Sequence, residues 1–403
     1  MDENIFVWIA IAQIPFTYGF IGWFTNWVAL KMTFYPISFW GIPPFLGWQG
    51  IIPRKANKIG TKFVEVITEK LLNLNDLVQK VDAVVAEKEI MPSLEPIILD
   101  ATIEFANGIE PNLWTKIPKM IQDEILAKVK KGSGTIIRNI IFDLHKDINS
   151  RLDIKNLVYR KLTGSNVSLI VEMFQKVGGP EFLFIERSGF IFGFLLGLLQ
   201  MVFWYLWPIP WTLPLQGVLV GYLTNYLAIE MIFRPLEPKQ YLAWKYQGLF
   251  LKRQPEVSSA FAKIVSEKIL SPSNILEELL YGKAADLLLE DIQAQISTQI
   301  DKIATITKPL ILASGKWKHY EESRMQIARS LTEATIVNAK ELEGYLFQTL
   351  DLEKTMTTKM IHLPPKDFES ILRSAFQEDE LLLIIIGAML GAVVGLAQLY
   401  FLI

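Results

Sequence analysis

The chain has 403 residues, long enough for about two to three domains. Its 40 basic and 42 acidic side chains nearly balance, whereas nucleic-acid-binding proteins usually carry a basic excess, so that class is disfavoured. Cysteine is absent and the three histidines are far apart in the sequence, which excludes thiolate catalysis and cysteine-based metal sites. Neither an HExxH motif nor a nucleophile elbow occurs, so the sequence predicts no enzyme, no metal and no cofactor.

Four stretches contain no charged residue: 5–30, 189–207, 208–229 and 381–403. A hydrocarbon core of roughly 30 Å needs about 20 helical residues, so each stretch is long enough to cross a membrane. The second and third stretches are contiguous. Pro208 and Pro210 predict a tight turn between them, because proline cannot donate to the helix ladder. Buried helices of a large soluble core are the competing interpretation, which the Trp and Tyr residues at the edges of the stretches disfavour.

The basic residues that flank these stretches indicate an orientation. If the four helices cross the membrane in turn, Lys31, Arg187, Arg234 and Arg373 all lie on the same side of it. The turn around Pro208, on the other side, has neither Lys nor Arg. The positive-inside rule therefore predicts that the soluble segments lie in the cytoplasm, or on the equivalent side of an internal membrane.

The sequence repeats itself after about 199 residues. Residues 22–36 align with residues 221–235, and seven of the fifteen positions are identical. Farther along, Gly189 aligns with Gly387 after a one-residue deletion. Because each copy holds two membrane crossings, both copies run the same way through the membrane, as parallel repeats do.

The sequence therefore predicts an all-α membrane protein built as a tandem repeat, in which each unit has two transmembrane helices that enclose a soluble helical domain. The predicted segments are a transmembrane helix with an aromatic loop (1–55), a first soluble helical domain (56–184), a transmembrane hairpin (185–235), a second aromatic loop (236–255), a second soluble helical domain (256–379) and a C-terminal transmembrane helix (380–403).

Apolar residues recur at helical spacing in the soluble segments. Asn75-Asp76 and Ser273-Asn274 precede two such runs and predict helix N-caps. Further helices are predicted to begin near residues 110, 153, 274, 316 and 365. The sequence KGSGT at residues 131–135 is reminiscent of a phosphate-binding loop but lacks the GxxxxGK[ST] order, so we interpret it as a turn between two helices.

Two features of the predicted transmembrane helices indicate close packing. Glycine recurs at every fourth position on one face of two helices, where a second helix backbone can approach. These glycines are Gly189, Gly193, Gly197, Gly387, Gly391 and Gly395. The two glycine faces could pack against each other. Alternatively, each could pack against the helix that carries the Thr-Asn pair of its own copy.

The Thr-Asn pairs, Thr25-Asn26 and Thr224-Asn225, lie late in their helices. An amide in hydrocarbon needs a hydrogen-bond partner, so each Asn is expected to face protein or the membrane interface. Interhelical hydrogen bonding or capping is the simpler interpretation. A polar pair that contacts a solute or a lipid headgroup is the alternative.

The loops that follow these helices are rich in aromatic residues without a regular period, which is typical of a loop in the lipid headgroup zone. Basic residues at the ends of both loops are candidate contacts for lipid phosphates. They are Arg54, Lys55, Lys252 and Arg253. The same residues also serve as an ordinary topology signal, which is the competing interpretation.

The motif Gly-x-x-Thr-Asn-x-x-Ala-x-x-Met-x-Phe-x-Pro, followed by Gly-Ile-Ile-Pro-Arg, resembles a family of uncharacterised bacterial membrane proteins, the YheB-like and YjiN-like proteins. The resemblance covers nearly the whole chain, although the second copy has Leu251 in place of Pro53. The Trp-rich, near-neutral composition looks most like the branch assigned to thylakoid membranes. What the resemblance implies is a multi-pass membrane location; it supplies no reaction, substrate or cofactor.

We therefore expect a non-enzymatic membrane protein that organises the membrane or serves as a scaffold. The expected partners are membrane lipid and, at the soluble helical domains, another protein, with no nucleic acid. The alternative is a transporter or channel with its polar site near Asn26 and Asn225. The absence of carboxylates inside the uncharged stretches disfavours that alternative, because proton and ion pathways usually contain them.

Overall fold

The computed structural model describes residues 3–42, 46–241, 244–306, 308–376 and 380–402. About 84% of the chain is helical, so the prediction of an all-α fold is confirmed. Strands in the described ranges form two short antiparallel hairpins, β1 (Trp40–Ile42) with β2 (Leu46–Trp48), and β3 (Lys239–Tyr241) with β4 (Trp244–Tyr246).

The helices follow one another with short connections. Those of the first half are α1 Glu3–Phe34, α2 Ile51–Arg54, α3 Ala56–Glu65, α4 Leu74–Val78, α5 Ala83–Ile109, α6 Leu113–Lys116, α7 Lys119–Lys146, α8 Ile148–Arg151, α9 Ile154–Leu162, α10 Val167–Val177 and α11 Gly179–Leu206. Those of the second half are α12 Thr212–Phe233, α13 Leu249–Lys252, α14 Gln254–Ile264, α15 Pro272–Tyr281, α16 Ala285–Ile303, α17 Lys308–Ala313, α18 Trp317–Asn338, α19 Glu343–Leu350, α20 Leu352–Ile361, α21 Pro365–Phe376 and α22 Glu380–Leu402. Short π-helical and 3₁₀ turns lie at Val66–Leu71, Gly164–Asn166, Val265–Ile269, Ala304–Ile306 and Ala339–Leu342.

Among the described residues, three helices are long and apolar enough to cross a membrane: Gly179–Leu206, Thr212–Phe233 and Glu380–Tyr400. The first two are joined by residues 207–211, where the proline turn was predicted. The first predicted crossing falls within α1, which is a continuous helix of 32 residues but is not one of the three.

The described residues form two compact units, and each unit draws on both halves of the sequence. Unit 1 comprises Met1–Lys70, Tyr159–Ile264 and Met356–Ile403. Unit 2 comprises Leu71–Val158 and Val265–Thr355. Each of the predicted soluble segments, 56–184 and 256–379, thus contributes residues to both units.

Unit 1 contains the long apolar helices. α1 packs along α11, and α12 packs along α22. Tyr18 and Ile21 of α1 and Val220 of α12 are buried in a shared apolar cluster. Aromatic rings also contact one another in unit 1; Phe63 lies 5.6 Å from Phe261, centroid to centroid.

Unit 2 is built on the long helices α5, α7, α16 and α18. Ile90, Leu94 and Ile98 recur every fourth residue on one face of α5 and pack against Ile137 of α7. This spacing places them on a single stripe of the helix, so that burial of one face holds α5 against its neighbours.

The structure corrects the prediction for residues 131–135, which lie in the middle of α7 rather than in a turn. Glycine in a helix interior costs about 1 kcal/mol relative to alanine, which is why the sequence indicated a break. Gly132 and Gly134 are buried, and a Cβ at either position would overlap the side chain of Gln299 or of Glu87. Tertiary packing therefore outweighs the low helix propensity of this segment.

Other sequence predictions differ from the structure in detail. The N-caps lie two residues before the predicted pairs: Asn73 accepts from the backbone N–H of Asn75, and Ser271 accepts from that of Asn274. The two β-hairpins lie in the predicted aromatic loops. Their strands are only three residues long, too short to be predicted from an alternation of apolar and polar residues. Gly41 in the first hairpin has φ +135°, a conformation that favours glycine.

Candidate functional site

The six predicted packing glycines lie against backbone. A Cβ at Gly189 would overlap the carbonyl oxygen of Gly22, and one at Gly193 would overlap that of Tyr18. In the other helix pair, a Cβ at Gly387 would lie 2.6 Å from the carbonyl oxygen of Gly221. Gly197, Gly391 and Gly395 meet α1 or α12 in the same way. Each glycine face thus receives the Thr-Asn helix of its own copy, which was one of the two arrangements left open.

The two Asn side chains make matching contacts across these helix pairs. Asn26 Nδ2 donates to the carbonyl oxygen of Ile185 at 2.6 Å, and Asn225 Nδ2 donates to that of Leu383 at 2.8 Å. The neighbouring hydroxyl groups bond within their own helix, Thr25 to Gly22 and Thr224 to Val220. These are interhelical hydrogen bonds of the kind that the simpler interpretation predicts.

The amide oxygens of both Asn residues remain available. Asn26 Oδ1 and Asn225 Oδ1 are buried and have no hydrogen-bond partner within the described ranges. An unbonded buried acceptor costs free energy, so these atoms are exceptions that call for a partner.

Asn225 lines a cavity of about 50 Å³ in unit 1, together with Thr33 and Glu181. Glu181 is 3% exposed; its Oε1 accepts from Arg253 at 2.6 Å, while its Oε2 has no partner among the residues that the structure describes. Thr33 Oγ1 donates to the carbonyl oxygen of Ala29 and keeps its lone pairs. The free polar atoms of these three residues are therefore acceptors.

Sequence reasoning missed Glu181, because it lies in the first turn of α11, outside the uncharged stretch. Glu181 also pairs with one of the residues predicted to contact lipid phosphates. Arg253 is engaged with Glu181, whereas Arg54 is exposed and lies 5.9 Å from the ring of Trp48. Lys55 is half-buried and Lys252 is exposed.

Unit 2 contains two adjacent apolar cavities, which sequence reasoning did not find. Cavity A has a volume of about 150 Å³, and cavity B one of about 220 Å³. Representative wall residues of cavity A are Leu77, Ile90, Ile141, Leu279 and Leu346, and those of cavity B are Leu94, Ile98, Phe105, Ile296 and Ile327. Protein interiors hold few voids larger than a water molecule, so two such spaces side by side are unusual for an ordinary core.

The cavities share part of their walls. Ile137 and Ile140 of α7 and Thr335 of α18 line both of them. The Thr335 hydroxyl is bonded to the carbonyl oxygen of Leu331, so it presents its methyl group and carbons rather than an open donor. The two cavities therefore lie side by side, and α7 and α18 contribute to the walls of both.

Charged clusters surround the ends of the helices that line cavity B. Burial alone would raise the pKa of Asp301, but hydrogen bonds from Lys308 and Tyr320 and the charge of Arg324 outweigh it and hold the pKa below its usual range. Hydrogen bonds from Lys116 and Lys316 lower the pKa of Glu110 to about 2. These pairs link α16 to α18 and fix the end of α5.

Among the described residues, no group of three or more His, Cys, Asp or Glu side chains could hold a metal ion. The walls of cavities A and B instead suit an apolar ligand, which needs neither hydrogen bonds nor charge. Comparisons of the chain with protein-family models, with curated proteins and with solved structures found no match.

Proposed function

We propose that the chain is a multi-pass membrane protein whose unit 2 binds the acyl chain of a membrane lipid in cavities A and B. The observation that carries this proposal is the pair of adjacent apolar cavities, which share three wall residues. Lipid is the occupant that we favour because the same chain carries three helices apolar enough to cross a membrane. The role is binding and membrane organisation rather than catalysis.

The energetics favour an apolar chain over water in these spaces. An apolar cavity of roughly 150 Å³ stays dry and accepts apolar guests, because water inside it would lack hydrogen-bond partners. Each methylene group moved from water into such a space contributes about 0.8 kcal/mol. A chain that occupied both cavities would thus replace empty volume with dispersion contacts and would displace no bonded water.

In this proposal α1 is a fourth membrane-crossing helix, and the chain is a tandem duplication. The glycine contacts of α1 with α11 match those of α12 with α22. The hydrogen bond of Asn26 likewise matches that of Asn225. This match supports both the duplication and the membrane-crossing position of α1. The flanking basic residues support a cytoplasmic location of the soluble segments. Because of the resemblance described above, a thylakoid membrane is the first location to test.

The test uses the full-length protein in lipid nanodiscs and a palmitate that carries a photoactivatable diazirine near its end. We expect the label to attach to peptides that line the two cavities, within residues 72–154 and 270–352. Ala101 of α5 lines cavity B and is 6% exposed, so Ala101→Phe should fill the space and reduce labelling there several-fold.

The matched control is Ala127→Phe, which adds the same side chain at an exposed position of α7. Labelling confined to α11, α12 and α22, or labelling of the cavities that Ala101→Phe leaves unchanged, would overturn the proposal. Native mass spectrometry of the same samples identifies any lipid that remains bound.

A second candidate function is the binding of a monovalent cation in unit 1, as part of a transport cycle. It is favoured by one observation: Glu181 and Asn225 line the same, mostly apolar cavity, and each has a buried side-chain oxygen without a partner among the described residues. Oxygen ligands suit hard cations.

For this second function, the thermal midpoint of the protein should differ between sodium or potassium and choline, and the difference should vanish in Glu181→Gln. Flux of the cation into liposomes should be lost in Asn225→Ala. A midpoint that is the same in all three salts would exclude it.

A further inference from the structure

One end of unit 2 is formed by two segments that lie far apart in the sequence. Glu110, just after α5, accepts from Lys116 at the end of α6 at 2.8 Å and from Lys316, just before α18, at 2.5 Å. These two bonds hold the corner between α5 and α7 against the corner between α17 and α18. We call this end the tip and define it as residues 110–121 and 308–319.

The chain leaves unit 2 at the opposite end of the long helices. There Lys80 Nζ lies 3.3 Å from Oγ1 of Thr355, the last residue of unit 2, and the backbone N–H of Asp82 donates to the Tyr345 hydroxyl. Helix α5 begins directly after Asp82, and its 27 residues span roughly 40 Å before the tip. The tip is therefore remote from the place where the chain passes out of unit 2.

The tip is basic, although the chain as a whole is slightly acidic. Its two segments contain five lysines and one glutamate, Glu110, whereas the whole chain has a net charge of −2. Lys308 pairs with Asp301 of α16 at 2.8 Å, so two of the five lysine charges are compensated by Glu110 and Asp301. After the two segments, the next acidic residues along the chain are Asp123 and Glu321. A net positive charge thus remains at the tip.

Two lysines of the tip project into solvent. Lys119, in the first turn of α7, is exposed, and the side chain of Lys318 is 84% exposed. Lys318 lies 3.8 Å from Glu322, and an exposed pair of this kind contributes little. Both ammonium groups can therefore bind an anion without breaking a strong contact.

Large apolar side chains project beside these lysines. Met120, Ile121 and Leu312 are 81%, 43% and 56% exposed. Met120 and Ile121 directly follow Lys119 in α7, and Leu312 lies at the end of α17. Single exposed apolar residues are ordinary on a protein surface. A group of them among lysines is instead the composition with which proteins bind an anionic membrane surface.

We propose that the tip binds the surface of an anionic lipid bilayer. Met120 and Ile121 insert between the headgroups, and Lys119 and Lys318 lie against the phosphates. Lipid phosphates complement the charge of the lysines, and the boundary of the acyl layer removes the apolar side chains from water. An acidic protein surface would match the charge alone. This contact is separate from acyl binding in cavities A and B and does not rest on it.

The test places the full-length protein in nanodiscs of phosphatidylcholine, so that the tip meets no anionic lipid in its own disc. The nanodiscs are mixed with vesicles of phosphatidylcholine, or of phosphatidylcholine and phosphatidylglycerol in equal parts, and the fraction that floats with the vesicles is measured. We expect flotation with the anionic vesicles and little with the neutral ones. It should weaken at higher ionic strength, because salt screens exposed charges. Equal flotation with both kinds of vesicle, or with neither, would overturn the proposal.

Two variants test the named residues. Lys119→Gln combined with Lys318→Gln should weaken binding to the anionic vesicles roughly 25-fold, since each lysine near such a surface contributes about fivefold. Met120→Ser should weaken it about tenfold, because it removes an apolar side chain from the lipid. The matched control is Lys340→Gln combined with Lys354→Gln, which removes the same charge from exposed positions at the other end of unit 2 and should leave binding unchanged.

The control and the methionine variant each make the proposal falsifiable. If the control weakens binding as much as the lysine variant of the tip does, the net charge of the protein is responsible and the proposal fails. If Met120→Ser binds as the wild type does, nothing inserts into lipid. An acidic protein surface would then be the fitting partner, and the choice of a bilayer would be wrong.

Discussion

The long helices of unit 1 and unit 2 pack in opposite ways. In unit 1, α11 and α22 meet their partners through glycine, so carbonyl oxygens and Cα atoms of two backbones touch. In unit 2, α5, α7, α16 and α18 meet through large aliphatic side chains and leave two cavities between them. Backbone cannot change its shape without bending the helix, whereas side chains can change rotamer. The comparison indicates a rigid region and an adaptable one within the same chain.

The largest expected effect is on the rigid region. Gly189→Ala places a methyl group on the carbonyl oxygen of Gly22, and the two helices must separate to accommodate it. We expect a loss of about 3 kcal/mol in the free energy of unfolding, at the upper end of the range for overpacking. Gly179→Ala, in the first turn of the same helix and with nothing within 4 Å, is the control and should cost little. Equal thermal midpoints for the two variants in detergent would refute the close contact.

The second prediction tests whether cavity B of unit 2 can accommodate a larger side chain. Ala285 of α16 is 4% exposed and does not line either cavity, so Ala285→Leu should cost about 1–3 kcal/mol by overpacking. Ala101→Leu extends into cavity B and should be neutral or stabilising, by up to about 0.8 kcal/mol per added methylene. Chemical denaturation of both variants measures the difference. If Ala101→Leu is as costly as Ala285→Leu, cavity B is not an open space.

A smaller effect is expected from the amides of unit 1. Asn225→Ala and Asn26→Ala each remove one hydrogen bond between helices, which is worth about 0.6–1.7 kcal/mol in membrane proteins. Because the contacts match, the two losses should be equal within error. Thr17→Ala removes an exposed bond inside α1 and should have a lesser effect. An Asn26→Ala variant as stable as the wild type would show that the bond contributes nothing.

The smallest effect concerns the charged cluster of unit 2. Asp301 has a pKa below its usual value of 3.8, so its contribution to stability is present above that pH and is lost as the pH falls through the pKa of the folded state. Asp301→Asn should therefore be less stable than the wild type at neutral pH by at most about 1 kcal/mol, and the two should converge in acid. Asp123→Asn, at an exposed position of α7, is the control. Parallel pH profiles for Asp301→Asn and the wild type would contradict the prediction.

The sequence predicted those parts of unit 1 that depend on residue type alone. Glycine at every fourth position and Asn at matched positions have few other uses in an apolar helix, so the sequence predicts that they lie at helix contacts, and the structure places both against a neighbouring helix. Glu181 was missed because a single carboxylate in the first turn of a helix usually faces water. Its burial depends on Arg253, which is distant in the sequence.

Unit 2 was harder to predict for a physical reason. Leucine and isoleucine at helical spacing have the same pattern whether they face a filled core or a cavity, so cavities A and B leave no trace in the sequence. Gly132 and Gly134 indicated a helix end by propensity, and only the positions of Gln299 and Glu87 explain why the helix continues. Long-range packing decided both cases.

The division of each unit among distant segments has a consequence for biosynthesis. Unit 2 includes residues up to Thr355, and unit 1 includes residues beyond it, so neither can be completed until most of the chain has left the ribosome. During synthesis, helices of the first half lack some of their packing partners until the second half has been made. Translation speed and chaperones therefore affect the yield of folded protein. If the chain arose by gene duplication, its single-copy ancestor had to assemble as a pair of subunits to gain the same partners.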